Sequence, residues 1–143
     1  MKIYNLTNAY IQRINNTSET AINISLEKFK DLEKYPFLLI IQSFIENSIK
    51  ISIYPLEKDK ITKITFLSIK FSEEIYDLIK RILQKFQVIH TSGVLFVGEH
   101  LYYECYLNLS LAESRAMKLN KTLENIKNIF KQIKIEEIGL IKS

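Results

Sequence analysis

The order of hydrophobic patterns in the second half of the chain most constrains its fold. Four stretches are strand-like, and one of them, Leu101–Leu109, alternates apolar and polar side chains every second position, as in a half-buried strand. Between them lie two stretches in which apolar residues recur every three or four positions, as on one face of a helix. The first helical stripe runs from Ile75 to Phe86 after Ser72, a good N-cap residue, and the second runs from Ala112 to Ile133. The patterns predict strand, helix, strand, strand, helix and strand.

This order predicts an α+β fold in which two helices cover one face of a four-stranded antiparallel sheet, the ferredoxin-like βαββαβ architecture. We expect this domain to span residues 58–143. Residues 1–57 have the pattern of a smaller β-rich module with a hairpin, because the apolar runs Phe37–Phe44 and Ile49–Tyr54 flank a polar turn. The charged stretch after Pro55 marks the predicted boundary.

The composition excludes a disordered chain and shows no helical membrane span. Hydrophobic residues make up 47% of the 143 residues. The longest apolar run, Phe37–Ile41, is much shorter than the roughly 20 residues that a spanning helix needs. The first residues do not resemble a secretory signal. We therefore expect a cytoplasmic protein without membrane contact.

The chain offers few residues for chemistry. Its three glycines and single cysteine exclude a glycine-rich phosphate loop, a Cys-x-x-Cys pair and a closed structural zinc site. No grouping of Ser, His and acidic residues indicates catalysis, so we expect a non-enzymatic protein without a cofactor. His100 and Cys105 are weak candidates for metal ligands.

One polar segment is a candidate ligand site. His90, Thr91, Ser92 and Gly93 form the most loop-like polar cluster of the second half. Hydroxyl and backbone N–H groups suit a small polar ligand, so we predict these four as ligand-binding residues. The alternative is that Gly93 simply forms a β-bulge or a turn.

The excess positive charge of the chain falls on the second predicted helix. Residues 111–134 contain six basic and two acidic residues, whereas the fourteen basic and fourteen acidic residues elsewhere cancel. A basic stripe of this kind binds nucleic-acid phosphates without sequence preference. The candidate residues are Arg115, Lys118, Lys121, Lys127, Lys131 and Lys134. The alternative is a solvated helix face, because lysine outnumbers arginine 17 to three, as in proteins from AT-rich coding sequence.

The order of elements over residues 61–143 resembles that of the ACT-type regulatory domains. This resemblance implies a regulatory protein that dimerises through its ferredoxin-like half and binds a small effector. The nickel-responsive repressors carry a related domain and use His and Cys ligands, for which His90, His100 and Cys105 are the matching residue types.

Two further resemblances concern nucleic acids. From Arg13 through Ile22-Asn23-Ile24 and Leu32 to Ile49–Tyr54, the chain is faintly similar to AbrB-type swapped-hairpin modules, which implies DNA binding. The hairpin that leads into Arg115-Ala116 is similar to one in the small dimerising subunit of the KEOPS tRNA-modification complex. Our leading hypothesis is a homodimeric ligand-sensing or transcription-regulator-type protein. The alternative is an RNA-associated or scaffolding subunit that uses the basic helix face.

Overall fold

A computed structural model describes residues 7–13, 25–68 and 72–141 of the protein. Within these ranges the fold is α+β, with two antiparallel sheets and two α-helices. The elements are β1 (Thr7–Arg13), β2 (Phe37–Ile45), β3 (Ser48–Leu56), β4 (Ile61–Ser68), α1 (Glu73–Leu83), β5 (Val88–Val97), β6 (His100–Leu107), α2 (Ser114–Ile126) and β7 (Gln132–Ile138). Neither helix is long and apolar enough to cross a membrane within the part of the chain described.

Contacts divide the chain into two compact units. The first contains Ile61–Glu137, and the second contains Thr7–Lys60 together with the chain from Ile138 onward. The predicted boundary between residues 57 and 58 lies just before this division. The end of the chain, which we assigned to the C-terminal domain, groups instead with the N-terminal unit, because the N–H of Ile141 donates to the carbonyl of Ile11 at 3.1 Å.

The second unit is built on a three-stranded sheet in the order β1-β2-β3. β2 and β3 form the predicted hairpin, with an unbroken register from Phe37↔Leu56 to Ile45↔Ser48. Glu46 in its turn has a positive φ of 47°. Since side chains alternate between the faces of a strand, Ile49, Ile51 and Ile53 share one face, as their spacing predicts. The alternating run Ile22–Leu26 predicts a further strand; residues 22–24 lie outside the described residues, and Ser25 and Leu26 are not part of a strand.

The first unit contains a four-stranded sheet in the order β5-β6-β4-β7. Both helices pack on one of its faces, where Phe66, Ile79, Tyr103, Leu119 and other apolar residues form the core. α1 follows its predicted stripe, and the N–H of Ile75 donates to the Ser72 hydroxyl at 3.1 Å, so Ser72 caps the helix.

The second helix is shorter than its sequence pattern predicts. Apolar residues keep helical spacing to Ile133, but α2 ends at Ile126 and a short 3-10 turn, Lys127–Ile129, follows. The chain then joins the sheet: the N–H of Lys131 donates to the carbonyl of Leu67 at 2.9 Å. Phe130 and Ile133 therefore reach the same core from an extended segment rather than from a helix.

Candidate functional site

Charged and polar side chains meet on the face of the four-stranded sheet opposite the helices. Ile64 and Phe66 of β4 face the helical core, so the alternation of the strand places Lys63 and Thr65 on the other face. There Lys63 lies opposite Tyr106 of β6, and Thr65 lies opposite Glu104. We call these four residues, together with His90 and Ser92 of β5, the polar cluster.

A buried ion pair forms the centre of the polar cluster. Lys63 Nζ lies 2.7 Å from Glu104 Oε2, and the two side chains are 4% and 0% exposed. Removing two charges from water costs several kcal/mol per ion, which good geometry and further hydrogen bonds must offset. A buried pair therefore specifies one arrangement of β4 against β6 more than it adds net stability. Removal of one partner leaves an uncompensated charge.

Two aromatic contacts connect this ion pair to the edge strand β5. Lys63 Nζ lies 5.7 Å from the ring centroid of Tyr106, a cation–π distance. On the β5 side, the His90 ring meets the Tyr106 ring edge-on at 6.0 Å between centroids. Because the two rings are in contact, a movement of His90 would displace the Tyr106 ring, which lies beside the Lys63 ammonium group.

The predicted ligand-binding segment is part of β5 rather than a loop. His90, Thr91, Ser92 and Gly93 are all partly exposed, and the register with β6 shifts before His90 and again between Thr91 and Val94. Gly93 has φ +73°, a left-handed conformation that glycine adopts without strain. This geometry is the β-bulge that the sequence left open as an alternative. The ligand-binding role of the segment remains a prediction.

Ser92 ties the bulge to the ion pair. Its hydroxyl accepts a hydrogen bond from the backbone N–H of Glu104 at 2.9 Å and donates to the carbonyl of Gly93 at 2.8 Å. Glu104 is therefore held at its backbone by β5 and at its carboxylate by β4. A molecule that competes for the Ser92 hydroxyl would disturb the residue that carries the buried negative charge.

Thr65 adds a polar group without a partner. Its Oγ1 is buried and makes no hydrogen bond within the described part of the chain. An unsatisfied buried hydroxyl costs about 1–3 kcal/mol. The cluster therefore holds an unused donor and acceptor next to Glu104, its cross-strand neighbour.

Sequence reasoning missed the centre of this cluster. Lys63, Thr65, Glu104 and Tyr106 lie in stretches that we predicted as strands, and none of the four was among the candidate site residues. The available signal was that each of two adjacent apolar strands carries one charge, and that the two charges are opposite. Their proximity depends on the register Thr65↔Glu104, which spacing alone does not give.

The six basic candidates do not share one helix. Only Arg115, Lys118 and Lys121 lie in α2. Of the others, Lys127 follows in the 3-10 turn, Lys131 precedes β7, and Lys134 lies within β7, so the prediction of one basic helix face is wrong. The cause is the early end of the helix at Ile126.

Ion pairs reduce the free positive charge of these residues. Lys127 pairs with Glu124 at 2.7 Å, Lys134 with Glu136 at 3.1 Å, and Arg115 with Glu113 at 3.7 Å. Lys118 and Lys121 are exposed and form no ion pair with any residue that the structure describes. The remaining cationic surface of α2 is therefore centred on these two lysines.

The two weak metal candidates lie on opposite faces of β6. Cys105 is fully buried in the helical core, and burial raises the pKa of its thiol well above the ordinary value. His100 is five positions earlier, so the alternation of the strand places its side chain on the other face. These two residues cannot ligate the same ion. No group of three His, Cys, Asp or Glu suited to a metal occurs among the described residues.

No protein-family model matches the chain, and no curated protein is significantly similar to it in sequence. Function is therefore inferred from the geometry of the two sheets and of the polar cluster.

Proposed function

We propose that the protein is a non-enzymatic, homodimeric regulatory protein that senses a small polar molecule at the β5 bulge. The supporting observation is the position of Ser92, whose hydroxyl joins a partly exposed bulge on an edge strand to the backbone of buried Glu104. A ligand at the bulge can in this way act on a buried ion pair.

The sheet order supports the predicted architecture. If β4, β5, β6 and β7 are numbered 1 to 4 in chain order, their order across the sheet is 2-3-1-4. Both helices pack on one face of this sheet. This order, with both helices on one face, supports our proposal that the unit has the ferredoxin-like βαββαβ architecture. The same architecture occurs in the ACT-type regulatory domains that the sequence resembles, and fold-level likeness adds weight to the proposal only as analogy.

The proposed signal is a change of partner at Ser92. The hydroxyl has one proton to donate and two lone pairs, and two of these three capacities are used by Gly93 and Glu104. A ligand carboxylate could accept the hydrogen bond of the Ser92 hydroxyl in place of the Gly93 carbonyl, or a ligand N–H could donate to it in place of the Glu104 N–H. Either exchange favours one arrangement of β5 over another. The ligand shifts the population only by its difference in affinity for the two arrangements.

The test is a ligand panel followed by thermal unfolding. Free amino acids and small carboxylates are the probes, and at least one should raise the unfolding temperature of the wild-type protein. Ser92→Ala should abolish that rise, whereas Ser48→Ala, which removes a hydroxyl bonded only to the Ile45 carbonyl in the hairpin turn, should preserve it. If no probe stabilises the wild-type protein, ligand sensing at the bulge is wrong.

A second candidate function is nucleic-acid association through α2. Lys118 and Lys121 are exposed cations without an ion-pair partner in the described structure, and they favour an RNA-associated or scaffolding role. Binding of tRNA or duplex DNA should weaken steeply with salt. Lys118→Glu with Lys121→Glu should abolish binding, and Lys85→Glu beyond the end of α1 should not. Absence of binding at low salt with both nucleic acids contradicts this function.

A further inference from the structure

We infer that the homodimer forms through β3, which pairs antiparallel with the same strand of a second copy. This inference rests on the proposed homodimer and assigns its surface. It differs from the sequence expectation, which placed dimerisation in the ferredoxin-like half. The evidence comes from the edge position of β3, its regularity, its exposed apolar residues and its charge pattern.

β3 presents backbone hydrogen-bonding groups at an edge. It is the last strand in the order β1-β2-β3 of the described sheet. The hairpin has a two-residue turn closed by the pair Ile45↔Ser48, and the pair that flanks such a turn is hydrogen-bonded. From that pair onward, hydrogen-bonded and non-hydrogen-bonded pairs alternate along β3. Ile49, Ile51 and Ile53 therefore direct their N–H and C=O groups away from β2.

β3 is less protected against pairing than the two edges of the four-stranded sheet, since it carries only Lys50 and, near its end, Pro55. Proteins block edge pairing with bulges and with charged residues. β5 is interrupted by two register shifts, and β7 carries Lys134, Glu136 and Glu137. β3 pairs with β2 without a shift, and Lys50 is its single charged residue.

The exposed half of this hairpin is apolar on one face. Phe44, Ile49 and Ile51 are 55%, 60% and 36% exposed. They share a face because Phe44 lies directly opposite Ile49. Apolar surface of this kind at a sheet edge marks an interaction site. The opposite face of the tip carries Ser48 and Lys50 together with Ile45, which lies opposite Ser48 and is 56% exposed.

A two-fold axis at Ile51 makes this edge complementary to itself. Ile51 then pairs with Ile51 of the partner subunit, and Ile49 pairs with Ile53 of the partner subunit. Lys50 faces Ser52 of the partner subunit, so no like charges meet. Pro55, which has no N–H to donate, stays outside the ladder. An isoleucine-rich edge whose single charge, Lys50, faces an uncharged serine fits a second copy better than a charged partner.

The geometry also sets the expected strength of the dimer. Nine residues at about 3.4 Å each give an edge about 30 Å long. Such an edge, with its three exposed apolar side chains, covers less than the ~800 Å² per partner of a standard stable interface. We therefore expect a dimer that dissociates on dilution.

Disulfide trapping tests this register. The two Cα atoms of a hydrogen-bonded antiparallel pair lie about 5.5 Å apart, which is within the range that a disulfide spans. Ile51→Cys should therefore form a covalent dimer under mild oxidation, and native Cys105 should not compete because it is fully buried. Leu95→Cys is the matched control, since it places a thiol of similar exposure on the β5 edge. It should not cross-link.

Light scattering over a range of concentrations completes the test. Ile51→Lys should convert the dimer to a monomer, and Met117→Lys, on the exposed outer side of α2, should leave the dimer intact. Far-UV circular dichroism checks that each variant is folded. If the wild-type protein is a dimer and the Ile51→Lys variant is also a dimer, the β3 surface is wrong and the homodimer stands. The same holds if the Leu95→Cys variant cross-links and the Ile51→Cys variant does not. A wild-type protein that is monomeric at every concentration overturns the homodimer itself.

Discussion

Lys63 of β4 and Glu104 of β6 form an ion pair at 2.7 Å in which neither side chain has meaningful access to water. The two residues are diagonal neighbours in the ladder, because Lys63 lies opposite Tyr106 and Glu104 lies opposite Thr65. The pair thus bridges the two central strands of the sheet and fixes their register. Its energetic role follows from what each single substitution leaves behind.

Lys63→Met should destabilise the protein by about 3–5 kcal/mol, because it leaves the Glu104 carboxylate buried without its counter-charge. The double variant Lys63→Met with Glu104→Leu should recover most of this loss, since both desolvation costs are removed. Urea unfolding of the two single variants, the double variant and the wild-type protein measures the coupling. Equal, small effects of all three variants would contradict the buried pair.

Ser92→Ala should destabilise the protein by about 1–3 kcal/mol, because the backbone N–H of Glu104 loses its acceptor. The matched control is Ser48→Ala, whose hydroxyl is exposed and bonds only within its own turn. We expect this control to stay within about 0.5 kcal/mol of the wild-type protein. Urea unfolding at neutral pH gives both values, and equal values would show that Ser92 does not anchor the bulge.

Gly93→Ala should cost about 1–2 kcal/mol, because φ +73° is unfavourable for a residue with a Cβ. The cost is conformational rather than steric, since an added Cβ would have no neighbour within 4 Å. Gly139→Ala is the control: its φ is not in the left-handed range, and its added Cβ makes only ordinary contacts. Thermal unfolding compares the two variants. A larger effect at Gly139 would contradict the bulge geometry.

Cys105 should be unreactive in the folded protein and should make stability fall at alkaline pH. Burial raises the pKa of its thiol above the ordinary value of 9.0, so only the unfolded chain ionises there as the pH rises past about 9. Proton loss from the thiol then favours the unfolded state. The stability that the protonated thiol contributes below that pH is therefore lost as the pH rises. A thiol reagent should react only after addition of denaturant.

The alkaline part of this prediction has its own control. Cys105→Ala should lower stability at neutral pH through lost packing and should reduce the loss between neutral and alkaline pH. Part of the alkaline loss should remain, because burial also raises the pKa of Tyr103 above its ordinary value of 10.0, against the opposing hydrogen bond from Thr91. A pH profile of Cys105→Ala parallel to that of the wild-type protein would contradict the assignment to Cys105.

Local signals in the sequence were sufficient for several elements. α1 could be predicted because its apolar stripe, its capping residue Ser72 and its limits all lie within a dozen neighbouring positions. The β2–β3 hairpin could be predicted for the same reason: two apolar runs flank a polar turn. In both cases the information that determines the element is contiguous in the chain.

The end of α2 and the polar cluster depend on distant residues. Phe130 and Ile133 keep helical spacing, yet the chain becomes extended because Lys131 donates to the carbonyl of Leu67 far earlier in the sequence. Lys63 and Glu104 meet only through the pairing of β4 with β6. A bulge at Gly93 likewise converts two apparent short strands into one, since the glycine that resembles a loop signal is accommodated within the ladder.

The central position of β4 has a consequence for how the protein is made. All eight residues of this strand are buried, and both neighbours, β6 and β7, come later in the chain. During synthesis β4 therefore emerges before either neighbour, and its pairing on both sides is complete only after β7 has emerged. Backbone amides of β4 that face β7 should acquire protection from hydrogen exchange only after β7 has emerged, and those of the whole strand should retain protection longest in the finished protein.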